Sequence, residues 1–435
     1  IMRGADTAWY NADMVIGSPE ANNDGDPNHD ARIIWDKVNY AFRAGKATGT
    51  EWDAGNRGKG SIAMGIDCKA SGDASIAMGN VAVATHNDAI ALGTAAHASA
   101  NKSVAIMGSV AQGIQSIAVG ENAGALDDDS IAIGSSAAAN SVASIAIGKT
   151  AEATAENAIA IGTSSEAATI GSIAIGVNTM ANTGDGAIAI GGNCTASGTE
   201  AVAIGVAASA TANGAMALVE GTSQAGYGLA VQTGVVDTSA TYGVASGTSK
   251  AVQPYAMATG AGALTNTHGE RAHASAQGAA FGTRGRHQAG EVIAQAKIAT
   301  GGGLTQLCPD AINGAGAATW TPLDDRGYAV RVQAIAKSES SNKCRFWDFQ
   351  ALVAKDGGAV TLVPGYIIHN GTLTAVVAGA NIAPTMEQNL TWTVDGPVLQ
   401  ISVSGGSLLL KASGNAAEDI RVTAKIDYTM AGIDY

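Results

Sequence analysis

Residues 130–148 read SIAIGSSAAANSVASIAIG and contain the pattern that decides the fold. The unit Ser/Ala-Ile-Ala-x-Gly opens this stretch and returns at its end, fourteen residues later. Its glycines recur along the chain at Gly65, Gly79, Gly93, Gly108, Gly120, Gly134, Gly148, Gly162, Gly176, Gly191 and Gly205. The intervals are 14, 14, 15, 12, 14, 14, 14, 14, 15 and 14 residues. The sequence therefore carries an internal repeat with a mean period of 14.

Each repeat predicts two short β-strands separated by turns that contain glycine. Small and apolar residues alternate with a period of two, as in Ser61 to Met64. An alanine follows nearly every repeat glycine by five residues, with Gly113 as the single exception. Such regularly spaced glycines disfavour a helix. We expect successive repeats to stack as parallel strands in a solenoid, about 4.8 Å apart. Coils this narrow bury little per chain, which favours an oligomer.

The composition excludes two broad classes of protein. Residues 61–226 contain no Phe, Trp, Tyr or Pro, so this stretch cannot fill an ordinary globular core. The same stretch holds 3 Lys against 13 Asp and Glu, and the whole chain has a net charge of −13. This acidity argues against nucleic acid as a partner.

The unit at residues 130–134 and its ten relatives resemble the head repeats of the YadA-type trimeric autotransporter adhesins. The resemblance implies a left-handed parallel β-roll, with three chains packed through their apolar faces in an intertwined homotrimer. It rests on many aligned positions between residues 59 and 226. Beyond residue 226 the pattern degrades, so residues 227–300 are interpreted as variant repeats and a neck-like transition.

The flanking segments differ in composition from the repeats. Residues 1–58 hold Trp35 and Trp52 and resemble the segment that precedes such repeats, where aromatic residues cap the open end of the roll. Residues 301–435 alternate apolar and polar residues between turn signals, which predicts an antiparallel β-sandwich. That domain resembles the C-terminal domain of phage tail-fibre and related virion proteins. As its candidate receptor contacts we take Trp347, Phe349, Tyr366 and Trp392.

Two acidic features carry alternative interpretations. Asp24, Asp26, Asn28 and Asp30 offer oxygen ligands at alternate positions, as a calcium loop does. The loop lacks the glycine at its sixth position and the closing Glu, so an ordinary solvated turn is favoured over a metal site. Further acids gather at one outer turn of the repeats. They form either an anionic ridge or a solvated edge that discourages aggregation, and the edge is favoured.

No arrangement of residues indicates catalysis or a bound cofactor. The seven histidines share no spacing with Asp, Cys or Ser that is typical of a metal site or a catalytic triad. Cys68 and Cys194 occupy small positions of the repeat and are interpreted as substitutes for Ala. Cys308 and Cys344 lie in the C-terminal domain, where free thiols are favoured over a disulfide. We therefore expect a protein that is not an enzyme.

The leading hypothesis is a fibre protein on a virion surface, either a phage tail fibre or a capsid appendage, that attaches to the host cell. Its expected partners are two further copies of the chain, other virion proteins through residues 1–58, and a host cell-surface receptor. The chain ends in a short polar tail after Tyr428 and shows no membrane-anchoring strands, which favours this hypothesis. The alternative is a passenger fragment of a bacterial trimeric autotransporter adhesin, located on the bacterial cell surface and binding host matrix.

Overall fold

The computed structural model forms two compact units, Ile1–Ala207 and Ala208–Tyr435. It describes residues 13–18, 20–274, 289–298, 305–307, 326–338, 344–356, 359–369, 372–374, 381–382, 386–388, 398–404, 407–413 and 420–432. Over these residues it is all-β, with two short 3-10 turns and no α-helix. A parallel β-solenoid of about fifteen turns dominates it, as the repeat predicted.

In the first unit each solenoid turn has one long and one short strand. The long strands are Ile62–Ile66, Ile76–Asn80, Ile90–Leu92, Val104–Ile106, Ile117–Val119, Ile131–Ile133, Ile145–Ile147, Ile159–Ile161, Ile173–Val177, Ile188–Gly192 and Val202–Val206. The short strands are Lys69–Ala70, Val83–Ala84, His97–Ala98, Val110–Ala111, Gly124–Ala125, Ala138–Ala139, Glu152–Ala153, Glu166–Ala167, Met180–Ala181 and Thr195–Ala196. Each kind of strand pairs in parallel with its equivalent in the next turn.

The interior of the solenoid is built from small side chains. In the turn that contains Ser130, that serine, Ala132, Ala137 and Ala139 are all buried. The alanines lie directly above their equivalents in neighbouring turns, so they form ladders in register. Buried serine hydroxyls donate to the carbonyl three residues earlier, as Ser130 Oγ does to Asp127 O at 2.5 Å. An interior this thin has no room for aromatic rings, which explains their absence from the sequence.

The repeat glycines are required by backbone geometry and by close approach of the turns. All except Gly108 have φ between +107° and +140°, a region that other residues rarely adopt. A Cβ atom on Gly191 would overlap the carbonyl oxygen of Gly205 in the next turn. The glycines therefore allow the backbones of successive turns to lie close enough to hydrogen-bond, where a side chain would hold them apart.

One step of the repeat differs from the sequence prediction. The strand Val104–Ile106 pairs so that Ile106 lies between Leu92 and Val119. Met107, and not Gly108, then follows the strand at the glycine position, with φ +65°. In the neighbouring short strand Ala111 lies between Ala98 and Ala125, which removes the apparent exception at Gly113. The strand register is kept, and the spacing of the glycines is not, because a shift of one residue would turn the inward alanines outward.

Residues before the first turn cover the end of the solenoid. Three N-terminal strands precede it, Met14–Ile16, Ala31–Asp36 and Ala41–Lys46, and the last pairs in parallel with the first long strand. Trp52 is buried and donates from Nε1 to the carbonyl of Cys68 at 2.8 Å. Arg43 is also buried and donates to the carbonyls of Ser61 and Ala70 at 3.1 and 2.9 Å. Burial lowers the pKa of the Arg43 guanidinium to about 10.

The second unit begins with five further turns, so regular coils continue as far as Ala274. Its long strands are Met216–Leu218, Leu229–Val231, Val244–Ser246, Met257–Gly260 and Arg271–Ala274. Its short strands are Ser209–Ala210, Thr222–Ser223, Val235–Val236, Lys250–Ala251 and Leu264–Thr265. Within the segment 227–300, predicted as variant repeats and a neck-like transition, the described residues up to Ala274 still form coils, because the inward positions other than Glu270 stay small or β-branched.

An antiparallel sheet follows the last coil, and we call it the C-terminal sheet. Arg271–Ala274 pairs with Ala289–Ile298, and the order continues through Ile420–Gly432, Arg326–Ser338, Cys344–Asp356, Ala359–His369 and Thr372–Thr374. The short strand Met386–Gln388 also pairs with Cys344–Asp356. A separate four-stranded sheet contains Thr305–Gln306, Ser407–Ser413, Val398–Ser404 and Asn381–Ile382. Leu399 and Leu410 from this smaller sheet share a buried cluster with residues of the C-terminal sheet. The β-sandwich itself stays a prediction.

A buried carboxylate joins the last coil to the C-terminal sheet. Glu270 is 2% exposed and occupies the inward position that serine or alanine fills in most turns. Its Oε2 accepts from the backbone amides of Asn266 and Thr267 at 2.7 and 2.9 Å. The Tyr428 hydroxyl donates to its other oxygen. These bonds satisfy a buried carboxyl group whose burial without partners would be costly.

The adjacent glycines Gly191 and Gly192 give a matched test of the stacking constraint. Gly191→Ala should destabilise the protein by about 1–3 kcal/mol from the strained dihedral alone, and overlap with the next turn adds to this cost. Gly192→Ala should stay within about 0.5 kcal/mol of the parent, because nothing lies within 4 Å of its added Cβ. Denaturant unfolding measures both, and equal midpoints would contradict the stacking argument.

Candidate interaction surfaces

The outward face of the long strands in the first unit is apolar along its whole length. Every inward alanine is flanked by two outward residues, and none of these is fully buried. One row is Ile62, Ile76, Ile90, Val104, Ile117, Ile131, Ile145, Ile159, Ile173, Ile188 and Val202, and the other is Met64, Met78, Leu92, Ile106, Val119, Ile133, Ile147, Ile161, Ile175, Ile190 and Ile204. We call these rows the outer apolar ladder. A continuous exposed apolar strip of this kind marks a contact surface.

The outward face of the short strands has a different character. Seven of its ten positions are charged, polar or small, including Lys69, His97, Glu152, Glu166 and Thr195, and the other three are Val83, Val110 and Met180. Glu152 and Glu166 are neighbours in register, so like charges face each other across two turns. This polar face is typical of a surface that stays in water, and it contrasts with the outer apolar ladder on the same coils.

The acids at the outer turn connect neighbouring turns. Asp73 Oδ1 accepts from the backbone amide of Lys59 at 2.9 Å, and Asp128 Oδ1 accepts from that of Ile114 at 2.7 Å. Asn87 performs the same function for the amide of Asp73, at 3.2 Å. In each case the two residues are fourteen apart and lie in adjacent turns. The acidic edge therefore satisfies loop amides, which accords with the interpretation as a solvated edge.

The four candidate calcium ligands lie in one loop that uses their oxygens internally. Asp24 Oδ1 accepts from the amide of Asp26 at 3.0 Å, and Asp26 Oδ1 accepts from that of Asn28 at 2.9 Å. Asp24 Oδ2 lies 2.6 Å from His29 Nδ1, a hydrogen bond that lowers the pKa of Asp24 and raises that of His29. Asp30 is 6% exposed. Within the described part of the chain, no three His, Cys, Asp or Glu side chains group as a metal site.

Two of the predicted receptor contacts are core residues. Trp347 and Phe349 are each 1% exposed and pack in the cluster beneath the C-terminal sheet. Side chains alternate between the two faces of a strand, so Trp347 and Phe349 point inward and their neighbours Asp348 and Gln350 point outward. The side chain of Tyr366 and the whole of Trp392 lie outside the described residues. A ligand on this sheet would therefore meet the outward residues.

Ion pairs cover part of this outward face. Glu291 lies between Arg271 and Lys425, with oxygen to nitrogen distances of 3.1 and 3.0 Å. Lys425 also reaches Asp427 at 2.8 Å. The hydrogen bond from Lys425 is the main cause that lowers the pKa of Glu291, and Asp427 followed by Glu291 raises the pKa of Lys425. The Glu291 carboxylate is therefore stabilised in its ionised form, and both Glu291 and Asp427 are paired with Lys425.

A concave region lies beside these pairs. A pocket of about 500 Å³ is lined by residues that include Arg331, Gln350, Leu352 and Asp427. Arg331 donates to both carboxylate oxygens of Asp348, at 2.9 and 2.5 Å, which raises its pKa. The pocket thus combines an exposed leucine with fixed polar groups, a combination typical of binding surfaces.

The sequence interpretation missed an aromatic feature in the second unit. Tyr227, Tyr242 and Tyr255 occupy equivalent positions in three consecutive turns, two residues before each long strand. Their rings stack with centroids 5.2 and 5.1 Å apart and interplanar angles of 8° and 15°. We call this set the tyrosine column. The signal was present in the sequence, since each tyrosine precedes a strand of the degraded repeat by the same distance.

Cys68 and Cys194 are buried free thiols at the small position of the repeat, which confirms the prediction from sequence. Cys194 Sγ lies 2.7 Å from the carbonyl oxygen of Gly205, and Cys68 Sγ lies 3.2 Å from that of Gly79. Burial is the main cause that raises the pKa of the Cys68 thiol. The side chains of Cys308 and Cys344 lie outside the described residues.

Comparison with known proteins identifies the repeats. The family model described as YadA head domain repeat (2 copies) matches residues 57–82, 84–106, 111–137, 139–165, 170–193 and 196–218. These residues therefore carry YadA head repeats, as their pattern predicted, and the chain is an adhesin-like or fibre-like β-solenoid protein. No curated protein matches the chain significantly.

One solved structure found by fold comparison is a tailspike protein, gp49 of Acinetobacter baumannii bacteriophage Fri1, a capsular polysaccharide depolymerase. The two are 8% identical, and the match covers 86% of this chain and 71% of the other. The TM-score is 0.19, so the likeness carries no argument about function. Separately, none of the described residues form a helix long and apolar enough to cross a membrane.

The buried thiols make a direct test of the coil interior. In a Cys308→Ser/Cys344→Ser variant, Cys68 and Cys194 should react with Ellman's reagent at pH 8 far more slowly in the folded protein than in denaturant. The reason is that both thiols are buried and the thiolate of Cys68 is disfavoured. Rapid reaction of two thiols under native conditions would contradict the packed interior.

Proposed function

We propose that this chain is the subunit of a homotrimeric attachment fibre, most specifically a virion fibre that contacts the host cell surface. The observation that carries the proposal is the outer apolar ladder, which continues through eleven long strands of the first unit. These side chains point away from the alanine interior and do not pack within it. They are therefore available for contact with other copies of the chain.

The energetics favour association through this ladder. Covering the remaining exposed part of one half-buried Ile or Met contributes about 1 kcal/mol. The two rows of the ladder hold twenty-two apolar side chains in the first unit, eighteen of them Ile or Met. Their combined contribution exceeds the roughly 4–15 kcal/mol that association costs in lost freedom of motion. Three copies are proposed because the YadA head repeats matched here resemble those of trimeric adhesins. The left-handed winding is proposed on the same ground.

Attachment is assigned to the two ends of the chain. Residues 1–58 are proposed to bind other virion proteins, and residues 301–435 are proposed to carry the receptor contact. Because Trp347 and Phe349 are buried, the contact is assigned to the outward face of the C-terminal sheet. The pocket beside Arg331 and Leu352 lies on this sheet and is the proposed place of contact.

A binding function is preferred to catalysis. Glycoside hydrolysis requires one carboxyl group that is protonated near neutral pH and acts as an acid. On the C-terminal sheet the opposite holds for Glu291, since Lys425 lowers its pKa. Asp348 is likewise engaged by both nitrogens of the Arg331 fork. This pairing supports recognition by a fixed surface.

A passenger segment of a bacterial trimeric adhesin is the second candidate. The specific observation in its favour is the match of residues 57–218 to the YadA head repeat. In this case the coils themselves would contact host matrix. The two candidates share the trimer and differ in the target.

The assembly is tested by a pair of substitutions in one turn. Ile133→Lys places a charge in the outer apolar ladder, whereas Ala138→Lys places it on the polar face of the same coil. Light scattering should give a mass near three chains of 43.0 kDa for the parent and for Ala138→Lys. Ile133→Lys should lower that mass. A parent that stays monomeric would contradict the proposed trimer.

Attachment is tested with the intact, fluorescently labelled chain. It should bind whole cells of a susceptible bacterial panel if it is a virion fibre, and immobilised collagen or fibronectin if it is an adhesin. Leu352→Asp, at the edge of the pocket, should weaken binding under the first assignment, and Glu152→Gln on the polar face serves as the control. Failure to bind any cell or matrix would contradict attachment.

A further inference from the structure

The tyrosine column is an exposed and unusually placed surface. Tyr227, Tyr242 and Tyr255 are 59, 48 and 59% exposed. All three have φ between +56° and +59°, a conformation that costs a residue with a bulky side chain roughly 1 kcal/mol or more. In the first unit Tyr40, which precedes the first turn, is the one aromatic residue at an equivalent position, and none of the described turns from residue 60 to residue 200 carries one there. The aromatic residues are therefore a local property of these three turns.

The faces of the three rings are covered, and their edges are free. Tyr227 lies against Gly214, where an added Cβ would meet the ring at 2.5 Å. At the other end the ring of His268 is 5.2 Å from that of Tyr255. A cation or a flat aromatic ligand needs an open ring face, so neither fits the interior of this stack. The column presents ring edges and phenol hydroxyls instead.

These hydroxyls form a regular row of unused hydrogen-bonding groups. Within the described part of the chain, none of the three phenol oxygens has a hydrogen-bond partner. The rings that carry them repeat every 5.1–5.2 Å, which is one solenoid turn. A ligand that used all of them would be a polymer with a similar repeat and with hydroxyl or ether oxygens along its length.

Charge and spacing select among polymers. Residues on one face of an extended polypeptide lie about 6.7 Å apart, which does not match the column. Nucleic acid is disfavoured by the net charge of −13. An extended polysaccharide advances by about one solenoid turn per sugar ring and carries hydroxyls on each ring. Residues 208–274 hold two cations against three carboxylates, so they offer no excess positive charge to an acidic polymer.

The neighbouring side chains suit the same ligand. Asp237, the carboxylate nearest in sequence to the middle of the column, is engaged by Lys250 at 2.7 Å, and this pairing lowers its pKa. Met216 and Met257 at the starts of adjoining long strands are 39 and 38% exposed. Apolar groups beside hydroxyl donors complement the mixed surface of an uncharged sugar, which has both C–H and O–H groups.

We propose that the tyrosine column is a binding site for an extended, neutral polysaccharide that lies along the stacked turns. The site is distinct from the C-terminal sheet and does not require the trimer or host attachment to be correct. Each turn contributes one phenol hydroxyl and one ring edge to successive sugars. Affinity therefore depends on the length of the polysaccharide.

Affinity electrophoresis of the full chain tests this proposal. Native gels contain hydroxyethyl cellulose, laminarin, glucomannan, dextran or, as the anionic probe, polygalacturonate. At least one neutral polymer should retard the parent chain. The triple variant Tyr227→Asn/Tyr242→Asn/Tyr255→Asn should bind that polymer at least about tenfold more weakly, because three hydrogen-bonding groups are lost. Asparagine is chosen because Asn157 occupies the equivalent position with the same φ.

Two further variants separate binding from stability. The Tyr→Phe triple variant keeps the stacked rings and loses only the hydroxyls, so it should bind more weakly than the parent at an unchanged melting temperature. Lys102→Asn/Gln115→Asn/Ala143→Asn, at equivalent positions of the first unit, should bind as the parent does. The proposal is overturned if no neutral polymer retards the parent, if only polygalacturonate does, or if the Tyr→Asn variant binds unchanged. If the chain binds a neutral polymer but fails to attach to cells, host attachment is contradicted and the polysaccharide site is supported.

Discussion

Direct hydrogen bonding between successive turns is the constraint on which the rest of the structure depends. Where turns are this close, the backbone at the end of most long strands in the first unit faces the backbone of the next turn with no space for a side chain. Glycine with positive φ satisfies this condition, as Gly191 beneath Gly205 shows. The same closeness makes the interior narrow, and only Ala, Ser and similar residues fit within it.

A narrow interior determines the character of the outer surfaces. Alanine ladders contribute little per turn, so stability is shared over many turns. The long strands can then carry Ile and Met outward, where a soluble monomer would carry polar residues. At the outer turn, side-chain oxygens of Asp and Asn accept hydrogen bonds from backbone amides of the adjacent turn, as Asp128 does from Ile114. One coil thus presents an apolar face, which we propose is used in assembly, and a more polar face.

The second unit uses the same coils for a different purpose. Its inward positions other than Glu270 still hold small or β-branched residues, while its outer turn carries the tyrosine column. At its end a buried Glu270 and Tyr428 join the last coil to the C-terminal sheet. The sites proposed for recognition therefore lie where the strict repeat has relaxed, because positions freed from the repeat can carry larger side chains.

The sequence by itself determined the all-β class, the 14-residue solenoid, its small interior and the buried thiols at Cys68 and Cys194. These follow from a periodicity that local geometry must obey. Only the tertiary structure placed Met107 in the glycine position, buried Trp347 and Phe349, and stacked the three tyrosines. Each of these depends on which strand lies beside which and on the face a residue occupies there. A shift of one residue reverses that face, and hydrogen bonding between distant segments decides the register.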